Sequence, residues 1–120
     1  MNNMKKIKYI VLLLLMIIAS SAKGQSPCGD DLCVVQFNAG FNEVNKVIWV
    51  GELTDCDNKF IDIQTDTKAA GIYKIVVVPT LVIYNNGEEI ERFQANIMMQ
   101  MEAKQKEVQE KIDEILMDAF

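Results

Sequence analysis

Val77-Val78-Pro79-Thr80-Leu81-Val82-Ile83-Tyr84-Asn85-Asn86-Gly87 is the stretch whose reading decides the fold. It is an apolar, β-branched run interrupted once by proline and closed by Asn-Gly. Proline has no amide to donate to a central ladder. Pro79 therefore belongs at the first residue of a strand over Thr80 to Tyr84, in a tight approach loop. Asn86-Gly87 supplies two residues that tolerate positive φ, which is what a two-residue hairpin needs. Glu89-Ile90-Glu91-Arg92-Phe93 is then the return strand.

Outward from this hairpin the remaining elements follow. Ile75 to Val78 is apolar, and Thr65 to Lys74 reads as a short helix with Thr65 or Asp66 able to cap it. Phe60-Ile61-Asp62-Ile63 alternates as a strand does, and polar Thr54 to Lys59 reads as a loop. Cys33 to Phe37 (CVVQF) is a short β-branched strand, broken by Asn38-Ala39-Gly40. Asn42 is a good N-cap. Val44, Val47, Ile48, Gly51 and Leu53 recur at helical spacing, which predicts a helix running from Glu43 to near Thr54. The β-rich stretch Val47-Ile48-Trp49-Val50 makes a strand the competing reading there, with Trp49 in the core either way. Downstream, Ala103 to Asp118 is an amphipathic helix with Val108, Ile112, Ile115 and Leu116 on one face. The order predicts an α/β fold in which a βαβ half precedes a ββα half, with a mixed sheet and helices on both faces. There are no internal repeats and no low-complexity linker.

The ends of the chain bound its class. Met1 to Lys8 carries Lys5, Lys6 and Lys8, and Ile7 to Ala19 is an almost unbroken apolar run, followed by Ser20-Ser21-Ala22. A basic head, a short apolar run and small residues form a secretory signal peptide. Residues 1–24 are therefore expected to be the leader and residues 25–120 one domain, with cleavage after Ala22 or Gly24. A retained anchor is the rival reading, but the run is shorter than the roughly 20 residues that span a bilayer. The expected location is periplasmic or secreted, with no membrane attachment once the leader is gone. Removing it leaves 8 basic residues against 17 acidic ones, a net charge of −9. Such a surface repels phosphate backbones, so nucleic acid is excluded as a partner.

Three cysteines remain, Cys28, Cys33 and Cys56, and an oxidising compartment allows any one of three pairings. Histidine is absent. That removes the usual general base of Ser and Cys hydrolases and the commonest zinc ligand. No metal or cofactor is expected.

The stretch from Val77 to Gly87 resembles the thioredoxin family's segment in which a hydrophobic residue and a cis proline precede Thr, a strand and an Asn-Gly turn. Upstream, Phe37-Asn38-Ala39-Gly40-Phe41-Asn42-Glu43-Val44-Asn45-Lys46 is similar to the family's Phe-Trp-Ala-x-Trp-Cys-Gly-Pro-Cys-Lys. Phe37, Ala39, the aromatic Phe41 and Lys46 keep the frame. The resemblance covers Cys33 to Phe93 and the final helix. It implies a thioredoxin-like fold and a cis bond before Pro79, whose bland alternative is ordinary turn geometry. The segment between the two motifs is short for the family, and Ala95 to Glu102 looks like an addition.

The departures remove the chemistry the resemblance would imply. A thioredoxin works by thiolate attack on a disulfide and resolution by a second thiol. The attacking thiol has a lowered pKa at a helix N-terminus. The matching positions here are Asn42 and Asn45, and an amide is no nucleophile. The position of the family's buried acid is Gln36, the intervening proline is Val44 and the first Trp is Asn38. Dithiol exchange at this site is therefore not possible. Asn42 is expected to be an N-cap and Asn45 a solvated first-turn residue.

What can survive is the family's contact with an extended peptide beside the proline, because it uses main-chain hydrogen bonds. The resemblance thus implies a non-catalytic, redox-inactive module that binds a protein or extended peptide segment at Phe41, Asn42, Val78, Pro79 and Thr80. The oligomeric state is left open. An alternative is an oxidoreductase or redox sensor acting through Cys28 and Cys33. Their C-x4-C spacing also fits a structural disulfide or free thiols, and Asp30 and Asp31 between them would raise thiol pKa values. Met98, Met99 and Met101 could hold Cu(I), but methionines without a His or Cys nearby read first as adaptable packing. Asp55, Asp57 and Asn58 read as a solvated loop.

Overall fold

The computed structural model describes residues 26–119, and the expected signal peptide lies outside the described residues. Among the described residues four strands form one sheet in the order β2-β1-β3-β4. They are β1 (Cys33–Asn38), β2 (Asp57–Asp62), β3 (Thr80–Asn85) and β4 (Glu88–Gln94). β1 runs parallel to β2 and antiparallel to β3, and β3 pairs antiparallel with β4. The mixed sheet and the βαβ–ββα order agree with the sequence reading.

The two central strands are buried along nearly their whole length. Their alternate residues feed two cores, one on each face, which is why they read as continuous apolar runs rather than alternating ones. On one face Cys33, Val35, Phe37, Val82 and Tyr84 pack with Ile75 and Val78. On the other, Val34, Leu81 and Ile83 pack with Val47, Val50, Leu53, Val108 and Ile112. Helix α1 (Ala69–Ile72) lies in the segment covering the first core, and helix α2 (Gln105–Asp118) covers the second. In α2, Val108 and Ile112 are buried, while Ile115 and Leu116 pack at the margin.

The hairpin forms as its sequence requires. Asn86 (φ 53°) and Gly87 (φ 80°) both take positive φ between β3 and β4, the conformation that Asn-Gly accepts at least cost. The amide of Asn86 also donates to the carbonyl of Asp30, clipping the N-terminal lead-in to the hairpin.

Three elements differ from expectation. The helix expected over 43–54 is two 3-10 segments, Gly40–Asn45 and Ile48–Glu52, broken around Val47. Val47, Val50 and Leu53 are the residues that reach the core, while Val44 and Ile48 are exposed. That three-residue spacing is the period of a 3-10 helix, so an α-helical face built on Val44 and Ile48 could not be satisfied. Trp49 is half-buried at the margin of that core. The helix expected over 65–74 shrinks to α1, with Lys68 and not Thr65 or Asp66 at its N-cap.

β2 begins at Asp57, inside the expected loop, because its amide donates to the carbonyl of Leu32 and pairs the strand with β1. Polar residues are tolerated there since β2 is an edge strand.

Candidate functional site

The site forms at the C-terminal end of β1, where three segments meet. The Val78–Pro79 peptide bond is cis. Pro79 is fully buried, its carbonyl accepts from the amide of Ala95 (3.0 Å), and the Thr80 hydroxyl donates back to the carbonyl of Val77 (2.7 Å). The loop before β3 is thus tied on both sides.

Asn42 stands opposite this loop, and it is not an N-cap. Ala39 occupies that position in extended conformation, and Asn42 lies within the 3-10 segment with its side chain buried. Its amide nitrogen is within hydrogen-bond reach of three oxygens: Asn38 Oδ1 (3.2 Å), the Val78 carbonyl (3.4 Å) and the Met99 carbonyl (3.1 Å). In return Asn42 Oδ1 accepts from Asn45 Nδ2 (2.8 Å), and the Asn42 carbonyl accepts from Asn38 Nδ2 (3.2 Å). Asn45 is half-buried and bonded rather than simply solvated. No buried side-chain polar atom among the described residues lacks a partner. The junction is therefore a closed amide network, which a low-dielectric interior makes stiff.

Its chemistry follows from the donor set. Three oxygens converge on Asn42 Nδ2, so the position is built for a hydrogen-bond donor. A thiolate there would face oxygens rather than donors. Gln36 completes the pattern, because its Nε2 donates to the Val47 carbonyl (3.0 Å) while its Oε1 accepts the Val47 amide (2.8 Å). A residue positioned to accept protons would be ionisable, whereas this one clamps β1 to the break between the 3-10 segments.

The five residues expected to bind divide unevenly. Asn42, Val78, Pro79 and Thr80 come together but are buried, and Phe41 alone is exposed. Sequence reasoning missed what closes over them. Residues 95–102 fold on themselves, with Asn96 Oδ1 accepting the amides of Met98 and Gln100, and they present the Met99 carbonyl to Asn42. Sequence reasoning also missed the apolar side chains left outside. Each segment meeting at Asn42 bears one or two within two residues of the meeting point: Phe41 and Val44, Val76, and Ile97 and Met98. Val44 is 92 % exposed and Ile97 97 %. Val44 was masked by helical spacing that suggested a core position. The run Ile97-Met98-Met99 was the available signal. As copper ligands the methionines diverge, since Met98 and Met99 are exposed while Met101 packs against the second core.

The sulfur chemistry lies at the opposite end of β1. Of the three possible pairings, the structure has Cys28–Cys33, with Cα atoms 6.3 Å apart. Describing the chain as redox-inactive thus suits positions 42 and 45 but does not fit the chain as a whole. Cys33 is buried in the first core and Cys28 is half-buried in a turn, so neither thiol would have a helix N-terminus to stabilise an anion. Cys56 is free, and burial, then Asp57 and Asp55, push its thiol above the usual range. Cys28 and Cys56 line a shared cleft of about 460 Å3 with Asp31, Asp57, Asn58 and Lys59. Asp57 and Asn58 belong to β2 rather than to a loop. No cluster of three or more Cys, Asp or Glu that could hold a metal occurs among the described residues, and no described helix is long and apolar enough to cross a membrane.

Solved thioredoxins have this architecture. A mutant thioredoxin from Halobacterium salinarum superposes with a TM-score of 0.56 at 23 % identity, covering 71 % of this chain and 74 % of that one. Fasciola hepatica thioredoxin superposes at 0.51 and 20 % identity, covering 83 % and 89 %. Thioredoxin h of Nicotiana alata does so at 0.51 and 23 % identity, covering 83 % of each chain. No family model and no curated protein matches the sequence. The chain has a thioredoxin-like fold.

Proposed function

We propose that this thioredoxin-like domain is exported and acts as a non-catalytic module that holds a protein or extended peptide segment against the rim around its cis proline. The observation that carries the reading is the Asn42 junction. Its buried amides satisfy one another where the family resemblance would put a reactive thiol, and exposed apolar side chains lie within two residues of the points where its segments meet. Fully bonded polar groups hold such a rim rigid, and exposed apolar clusters mark interaction surfaces. The Val78 carbonyl is engaged by Asn42. Recognition therefore rests on side-chain contact with Phe41, Val44, Val76, Ile97 and Met98 more than on main-chain pairing at that carbonyl.

A photoreactive residue at Val44 is expected to capture a partner in the native cell envelope, while one at the exposed Met117 on α2 captures none. Ile97→Asp should abolish the Val44 adduct without altering the circular dichroism spectrum. Capture that is equal at both positions, or absent at Val44, overturns the reading.

The Cys28–Cys33 bond favours a second reading, thiol–disulfide exchange through that pair. Against it stands the burial of Cys33. Attack at the more accessible Cys28 would release the Cys33 thiolate into an apolar core, which is a costly leaving group. The two readings separate in Cys28→Ser, which ends exchange but leaves capture at Val44 intact.

A further inference from the structure

We infer that the outer edge of β2 is a self-pairing surface, on which a second copy of the chain adds antiparallel about a twofold axis at Asn58. β2 is an edge strand, and residues Asp57 to Phe60 are all exposed. The amides of Asp57 and Ile63 donate to Leu32 and Asn38, so odd-numbered residues turn their peptide groups toward β1. The peptide groups of Asn58, Phe60 and Asp62 therefore point outward. Unpaired edge groups are a template for another strand unless charge, proline or a bulge protects them.

The registers open to a twofold pair are few, and charge chooses among them. With the axis at Asn58, Asp57 stands directly opposite Lys59 of the second copy, twice over. These fall in non-hydrogen-bonded positions, where facing side chains are closest. Phe60 then meets Cys56 of the second copy, apolar against apolar. Asp55, with φ 63°, ends the pairing just beyond. Moving the axis to Lys59 sets Lys59 against Lys59. Moving it to Phe60 calls on the Asp62 carbonyl, which already accepts the Asp66 amide (2.8 Å) and the Thr65 hydroxyl (3.2 Å). The other edge offers no rival, because β4 carries Glu88, Glu89 and Glu91 and a register shift lies between Ile83 and Tyr84. Pairing β4 with itself would bring like charges together. Lys59 Nζ donates to the Pro27 carbonyl (2.6 Å), and an ammonium keeps two further donors for Asp57 of the second copy.

Sedimentation equilibrium of the natively processed protein, across concentrations up to the millimolar range, tests this. The expected result is a monomer–dimer equilibrium that Lys59→Asp abolishes, that Asp57→Lys also abolishes, and that the double swap restores. Asn58→Pro removes an outward amide that β1 does not use. It should give a folded monomer, which separates loss of pairing from loss of fold. A protein that stays monomeric throughout overturns the proposal, as does a dimer indifferent to Lys59→Asp. A monomer whose Asn58 and Phe60 amides resist hydrogen exchange would show that the edge is already covered within one chain, and would overturn it equally.

Discussion

The two ends of β1 treat sulfur in opposite ways. At the C-terminal end, beside the cis proline, the positions where the family resemblance would put thiols hold Asn42 and Asn45 bonded into a closed network. At the N-terminal end two cysteines are present and joined, but one is buried at the head of a strand and no helix dipole reaches either. One end has neither the sulfur nor a setting that would stabilise a thiolate, and the other has the sulfur without the setting. Thiol reactivity depends on thiolate stability and access together, so neither end assembles a dithiol catalyst. Both instead act as ties, one fastening the loop of residues 95–102 and the other the N-terminal lead-in.

The largest effect expected is at the amide end. Asn42→Ala withdraws the two N–H groups that three oxygens share, and should cost about 3 kcal/mol in urea denaturation, since each unsatisfied buried group costs about 1–3. Asn42→Asp, nearly the same size, should cost more at neutral pH because it sets an anion among those oxygens. A fully stable Asn42→Asp protein would mean that the junction does not depend on an amide, and the contrast between the two ends would fail.

At the sulfur end the effect is smaller. Cys28→Ser opens a loop of sequence separation 5 and should lower stability by about 2 kcal/mol on the chain-entropy account. The same bond should stay oxidised across the range of about −120 to −270 mV in which exchange enzymes equilibrate. Thiol alkylation and mass spectrometry read this directly. Equilibration within that range would make the N-terminal end a redox site and reverse the comparison.

A further effect, confined to alkaline pH, concerns Tyr84, which pairs with Cys33 in the sheet. Burial, then the charge of Glu89, pushes its phenol up to about 12. A folded-state pKa above the ordinary value of about 10 means the contribution is complete below pH 10 and is lost as pH rises through 12. Tyrosinate absorbance should therefore show the Tyr84 phenol ionising late, and the urea midpoint should fall across that window. Titration at the ordinary value would show the core around Cys33 to be open to water.

Much of this is legible in the sequence. Pro79, Asn86 and Gly87 each carry a local backbone constraint, and each sits where that constraint predicts. The apolar runs of β1 and β3 announced central strands, because burial on both faces leaves no polar alternation. The weak points share a cause. Val44 and Ile48 fit an α-helical stripe as well as Val47 does, and the 3-10 spacing that buries Val47, Val50 and Leu53 is apparent only once they pack with Val34, Leu81, Val108 and Ile112. Asn42 is a good cap by composition, yet its partners at Val78 and Met99 lie 36 and 57 residues away, where no local rule reaches.

By itself, then, the sequence determined the order of elements along the chain, the hairpin, the proline geometry and the loss of the dithiol, since each rests on residue identity or on spacing within a few positions. Tertiary structure alone decided which cysteines pair, that Asn42 is a buried junction rather than a cap, and that Val44 and Ile97 stay outside. Those outcomes depend on which distant segments are brought within hydrogen-bond or packing distance. That is a property of the whole chain's competition for burial rather than of any stretch within it.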